Sequence, residues 1–192
     1  PLRIFALGEI SQPGAYNVES STSLFTSLYY FNGPTFDGSL REIKLIRNEK
    51  EFKIIDFYDY LLSGKQLGDI RLQRDDVIFI PKRGKTVSVD GEIARPAIYE
   101  LKDEEHLSDL IKIAGGIKST TYFDRVQIAS ILPPDIRKEL GMDRRLIDVK
   151  LEEIINNGKI FNLYDGDQLT FFPISDITTN IVSISGQIQR EG

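Results

Sequence analysis

Cysteine and tryptophan are absent from this 192-residue chain, and histidine and methionine occur once each, as His106 and Met142. Without cysteine there are no disulfides, no thiolate nucleophile and no zinc site built on sulfur. A single histidine leaves the Ser–His and His–metal arrangements of hydrolases almost nothing to draw on. No apolar run approaches the roughly 20 residues that cross a bilayer as a helix. Pro1 opens on a strand-like stretch rather than a secretory leader. A piece of a longer protein would have lost both features, so neither absence selects a compartment. Basic residues are in deficit, 24 Lys and Arg against 29 Asp and Glu. A net charge of −5 argues against a nucleic-acid partner, because neutralising phosphates needs a basic face. What remains is the composition of a soluble globular chain, long enough for one domain or two small ones.

What is present is a repetition. GEISQPGAY, Gly8 to Tyr16, returns as GEIARPAIY, Gly91 to Tyr99, and the chain closes on GQIQREG, Gly186 to Gly192. A shift of 83 places Gly8 on Gly91, Tyr16 on Tyr99, Leu24 on Leu107, Asn32-Gly33 on Gly115-Gly116 and Leu45 on Ile128. Beyond that point a shift of 92 places Ile55-Asp56 on Ile147-Asp148, Asp75 on Asp167 and Pro81 on Pro173. The expectation is therefore one folding unit written twice, with a single nine-residue insertion between Ala129 and Leu146. The unit is too long for a solenoid repeat and large enough for its own modest core. Residues 1–82 are read as the first unit and 83–175 as the second, with an insertion near 133–142. Residues 176–192 are read as a linker and the first strand of a third unit, so the chain is expected to be a piece of a longer protein.

The pattern inside each unit predicts its elements. Val87, Val89, Gly91 and Ile93 alternate as a strand. Pro13-Gly14 and Pro96-Ala97 supply turn chemistry, and second strands end at Val18 and Leu101. Leu107, Leu110, Ile111 and Ala114 form one helical stripe, with Asp103 as the expected N-cap and Gly115-Gly116 as the stop. Leu24, Leu28 and Phe31 form the same stripe in the first copy. Strands at Glu42–Leu45 and Arg125–Ile128, their partners at Phe52–Asp56 and Leu146–Val149, a short helix and a last strand complete the order. In the insertion, Pro134 is expected to open a helical turn that Gly141 closes, as a surface excursion. The fold class is α+β: two tandem β-grasp, ubiquitin-like modules, each a mixed sheet with one main helix.

The combination G-E-[IV]-x-x-P-[GA]-x-Y, a leucine-bearing helix ending A-G-G-I, and G-D-x-[LV]-x-[FV]-x-P resembles the soluble-ligand-binding β-grasp (SLBB) module of outer-membrane polysaccharide export proteins, the capsule and exopolysaccharide exporters. Gly91-Glu92, Pro96, Tyr99, Ala114-Gly115-Gly116-Ile117 and Gly166-Asp167 carry the resemblance. The first unit departs from it with Phe31-Asn32-Gly33 and Arg74-Asp75, and the third copy has Glu191 where proline is usual. The resemblance implies periplasmic modules of an outer-membrane-associated exporter and self-assembly into a ring-like homo-oligomer around a polysaccharide path. It also implies an inner-membrane tyrosine-kinase-like export partner. From the residues themselves, no cofactor and no catalysis are expected.

The candidate residues divide between structural and functional uses. Glu9 and Glu92 invite an acid–base reading, but the third copy has Gln187 there, and a catalytic acid is not optional between copies. The expected use is a strand-end carboxylate making local hydrogen bonds. Asp165 and Asp167 flank a glycine as in calcium loops, yet the later glutamate is missing, which favours a turn. His106 is expected on the surface of the first helical turn. The aromatic clusters holding Tyr29, Tyr30, Tyr58, Tyr60 and Tyr122 suit core packing, subunit contact or sugar rings. Lys82, Arg83 and Lys85 form a basic joint between the units, which, with Arg95, is a candidate contact for an acidic polysaccharide or a neighbouring subunit. Three readings follow: a structural part of a polysaccharide exporter, a small-ligand or saccharide-binding β-grasp module without a pore role, and a glycosidase using paired carboxylates. The second predicts a concave pocket near the aromatics, repeated in both units.

Overall fold

A computed structural model of the chain describes residues 1–64 and 68–174. The expected third copy, 176–192, lies outside the described residues. The first unit runs β1 (Leu2–Gly8), β2 (Gly14–Val18), α1 (Leu24–Ser27) continuing as a 3-10 turn (Leu28–Phe31), β3 (Ile43–Arg47), β4 (Lys50–Ile55), α2 (Phe57–Ser63) and β5 (Val77–Ile80). The second runs β6 (Thr86–Gly91), β7 (Ala97–Glu100), α3 (Leu107–Ile113), β8 (Thr121–Ile131), α4 (Pro134–Leu140), β9 (Arg144–Val149), α5 (Leu151–Ile155) and β10 (Gln168–Pro173). Each unit builds a five-stranded sheet, in the orders β2-β1-β5-β3-β4 and β7-β6-β10-β8-β9. One central pair in each is parallel, β1 with β5 and β6 with β10, and the other pairs are antiparallel. These are two mixed α+β sheets of one topology, tandem β-grasp-like modules.

Each sheet has its own apolar core. Ile4, Leu24, Phe31, Leu45 and Ile78 centre the first, and Val89, Leu107, Leu110, Ile128 and Phe171 the second. Short helices are held by caps and by burial of one face, since a few turns are not stable alone. Ser23 caps α1 by accepting from the Thr26 N–H, and Asp56 caps α2 by accepting from the Tyr58 N–H.

The pairings correct the repeat register. Ile43 faces Ile55 as Val126 faces Val149, a shift of 94 between Ile55 and Val149. Phe5 faces Val77 as Ser88 faces Gln168, a shift of 91 between Val77 and Gln168. Eleven residues are thus gained between β3 and β4, and three are lost before the last strand. The expected single gap of nine aligned Asp75 with Asp167, whereas Asp76 is the true counterpart, because adjacent aspartates and closing prolines look alike in a sequence. The gain itself is the predicted excursion. In the first unit Asn48 and Glu49, both at positive φ (51° and 62°), make a two-residue hairpin turn. In the second, α4 has Pro134 in its first turn, no buried residue, and Gly141 at φ 65° as its left-handed stop.

Asp103 does not cap α3. His106 occupies that position, half-buried, and its N–H donates to Asp109 (3.2 Å). The residues between are drawn into a turn in which Glu105 accepts from the Lys102 N–H (2.9 Å). The chain leaves both units by the same bond: Arg83 N–H to Asp37 O and Ile174 N–H to Thr120 O, each 2.8 Å.

Candidate functional site

The GE…P-x-x-Y motif is a corner that closes the hairpin onto the sheet. A Cβ on Gly8 would overlap the Ile80 carbonyl oxygen, and one on Gly91 that of Phe171, at φ +90° and +88°. The following amides, Glu9 and Glu92, donate to those same carbonyls (both 2.8 Å). Seven residues on, the tyrosine hydroxyl donates back across the turn, Tyr16 to Gln12 O (2.6 Å) and Tyr99 to Arg95 O (2.5 Å). The glutamates bond locally. Glu9 accepts from the Thr35 hydroxyl (3.1 Å), and Glu92 from the Thr120 hydroxyl (2.8 Å) with Lys118 at 3.3 Å. Those two contacts hold the Glu92 carboxyl below the ordinary glutamate range. The aspartates of the last turn are likewise engaged. Asp167 is buried and accepts from Ser130 and the Tyr164 N–H, while Asp165 accepts from the Thr86 N–H. Among the described residues no group of three His, Cys, Asp or Glu side chains could hold a metal.

The strongest concentration of polar chemistry lies between the units. Arg41, 6% exposed, reaches Asp56 (2.9 Å), Glu105 (2.7 Å) and the Glu100 carbonyl (3.1 Å), with its guanidinium 4.1 Å from the Tyr58 ring centre. Lys102 adds a second contact to Asp56 at 2.6 Å. The buried Glu100 carboxylate accepts from the Ser39 hydroxyl (2.8 Å), the Leu40 N–H (3.0 Å) and the Gly84 N–H (2.9 Å). Its own N–H donates to the Tyr58 hydroxyl (3.0 Å). Three carboxylates and two cations are thus paired where the units meet, with Arg41 and Glu100 buried and Lys102 half exposed, and the buried charges are matched as they must be. Tyr58 belongs to the first unit's α2, yet it packs into the second unit's core, with Leu40 beside it. Burial raises its phenol above the ordinary tyrosine range.

The predicted contact residues therefore separate. Tyr58 is a joint residue, closed off from any saccharide or outside subunit by its 8% exposure. Tyr29 stands 84% exposed, and Tyr30 and Tyr122 are also on the surface. Tyr60 stacks on Phe25 at 5.2 Å. Arg83 lies 4.0 Å over the Phe36 ring, Lys82 is exposed, and Arg95 donates to Ile113 O (3.1 Å). Arg41, Glu100 and Glu105 were missed by sequence reasoning. No local signal marks an arginine and two glutamates as partners across 59 to 64 positions.

A groove of about 410 Å³ opens in the first unit beside Phe25, Tyr29, Phe57 and Tyr60. The pocket expected in both units is not repeated in kind. The corresponding positions of the second unit are Ser108, Lys112, Leu151 and Ile154, two polar and two sealed in the core.

Comparison with known proteins gives a consistent result. The SLBB domain family matches residues 3–55 and 86–141, more than half of the chain and one stretch in each unit. Two Escherichia coli proteins, both named polysialic acid transport protein KpsD, are each 29% identical over 104 residues. That match covers 54% of this chain and 18% of each relative, so the chain spans only about a fifth of the length of the curated relatives it matches.

Proposed function

The chain belongs to the SLBB domain family, and from that premise we propose that it is a non-enzymatic structural part of a polysaccharide exporter. The observation that carries the proposal is the paired SLBB match, joined to a 104-residue likeness to proteins named for polysialic acid transport. The role is scaffolding: two β-grasp units, locked by the Arg41–Glu100 joint, help build and brace the assembly through which capsule or exopolysaccharide leaves the cell. The place of work is the periplasm, against the outer membrane. Partners are further copies of the chain in a ring, the polysaccharide, and an inner-membrane tyrosine-kinase-like export protein.

One feature supports an interaction surface. The outer face of the first sheet is mostly apolar around Lys44, with Phe5, Leu7, Val77, Phe79, Ile46 and Ile54 half-buried or exposed, where the second sheet carries Ser88, Asp90, Gln168, Thr170, Ala129 and Asp148. Exposed apolar patches on one face mark contact sites. The motif glutamates serve the corner and argue for no chemistry. The test is deletion of the gene in its source organism, with surface and cell-retained polysaccharide measured. Loss of surface polysaccharide with retention inside the cell is expected, restored by the intact gene. Unchanged export overturns the proposal.

A further inference from the structure

The groove of the first unit is built like a sugar site. Its floor is Phe25, Leu28, Phe57 and Tyr60. Phe25 and Tyr60 lie nearly parallel (22°), and Phe57 is 5.3 Å from both. Tyr29 and Asn32 stand at the rim. The Tyr29 and Tyr60 hydroxyls and the Asn32 amide make no hydrogen bond with any described residue. An aromatic floor ringed by uncommitted neutral donors and acceptors matches a pyranose, which has one C–H face and a hydroxyl edge. Among the described residues, no charged side chain lines the groove. A sugar carboxylate placed there would lose its hydration with no counter-charge to offset the loss. The volume falls in the range of about 300–1,000 Å³ usual for small-molecule pockets. The fold does not demand these aromatics, because the second unit reaches the same topology with Ser108 for Phe25, Lys112 for Tyr29, Gly115 for Asn32 and Ile154 for Tyr60.

We infer that this groove is a glycan subsite for one neutral hexose-class ring, its apolar face on the half-buried Phe57 and Tyr60 rings, with Phe25 stacked against Tyr60, and its hydroxyls on Asn32 and the tyrosine tips. The inference rests on the export reading for its choice of a glycan over other neutral ligands. Amide-resolved NMR of the 192-residue chain, titrated separately with maltotriose, chitotriose and a sialic acid oligomer, tests it. At least one neutral trisaccharide should shift Phe25–Gly33 and Phe57–Tyr60. Tyr29→Ala, an exposed position that leaves the fold alone, should weaken that binding at least tenfold, and Lys112→Ala should not change it. No shift in the groove with either neutral sugar, or shifts only with the sialic acid oligomer, overturns the subsite. Export lost on gene deletion with a silent groove refutes the subsite alone. A groove that binds while export is untouched refutes the exporter role alone, and leaves a glycan-binding module.

Discussion

Arg41 and Tyr58 carry more than their neighbours because both are buried where two units meet. Removing one member of a fully buried ion pair costs about 3–5 kcal/mol when its partner is left uncompensated. Arg41→Ala leaves Asp56 with Lys102 and the Tyr58 N–H, and Glu105 with the Lys102 N–H, so it is expected to lower unfolding stability by less than that, about 1–3 kcal/mol, in urea titration. Arg41→Lys should recover little of it, because an ammonium cannot span three partners in the planar fork that the guanidinium provides. Tyr58→Phe removes the acceptor for the Glu100 N–H, an unmet buried donor worth about 1–3 kcal/mol. The same phenol gives a pH signature. Its folded value is raised by burial, so its contribution to stability is complete below the ordinary tyrosine range and is lost as pH climbs through the folded value. Burial raises Tyr99 as well, so tyrosinate absorbance should show late-titrating phenols, and Tyr58→Phe should remove one of them and leave the other. The identity of Tyr58 as an aromatic was plain in the sequence. Its direction was not, because α2 offers it to a core formed by residues more than 25 positions away.

At the scale of elements, the corner and the hairpin make opposite predictions for glycine. Gly91 sits at φ +88° against the Phe171 carbonyl, so Gly91→Ala adds backbone strain of about 1–3 kcal/mol before the overlap is counted. Calorimetry of Gly91→Ala, and of Gly8→Ala in the first unit, should show that loss or more. In the β3–β4 turn, Glu49 holds φ 62° without being glycine. A two-residue turn of this hand prefers Asn-Gly, and Glu49→Gly should stabilise the chain by about 1 kcal/mol, the usual cost of a left-handed residue with a Cβ. The elements themselves were legible. Alternation predicted the strands, the apolar stripe predicted α3, and Pro134 with Gly141 predicted α4. What slipped was register in the second half of the unit. The gain of eleven residues and the loss of three leave a net gain of eight, and local pattern cannot distinguish that pair from one gap of nine. Only the strand pairings do.

For the whole molecule, the joint predicts that the two units turn as one body. Absence of cysteine makes this directly measurable, since a spin-labelled cysteine pair placed on exposed sites of the two units has no native thiol to compete. A narrow distance distribution is expected for the parent chain and a broad one for Arg41→Ala. Equal widths would remove the joint's role as a lock. A rigid pair suits a scaffold that must hold its subunits in fixed geometry, which ties the joint to the proposed export role.

The order of strands and helices, the doubling of the unit and the motif glycines and tyrosines were already set by the amino-acid order, because each depends on backbone conformation within a few residues or on repetition along the chain. The tertiary structure alone settled the true register, the transfer of Tyr58 into the neighbouring core, the Arg41 network and the aromatic groove of the first unit. These depend on which surfaces meet in space, and burial, charge pairing and groove shape are properties of surfaces brought together from distant positions.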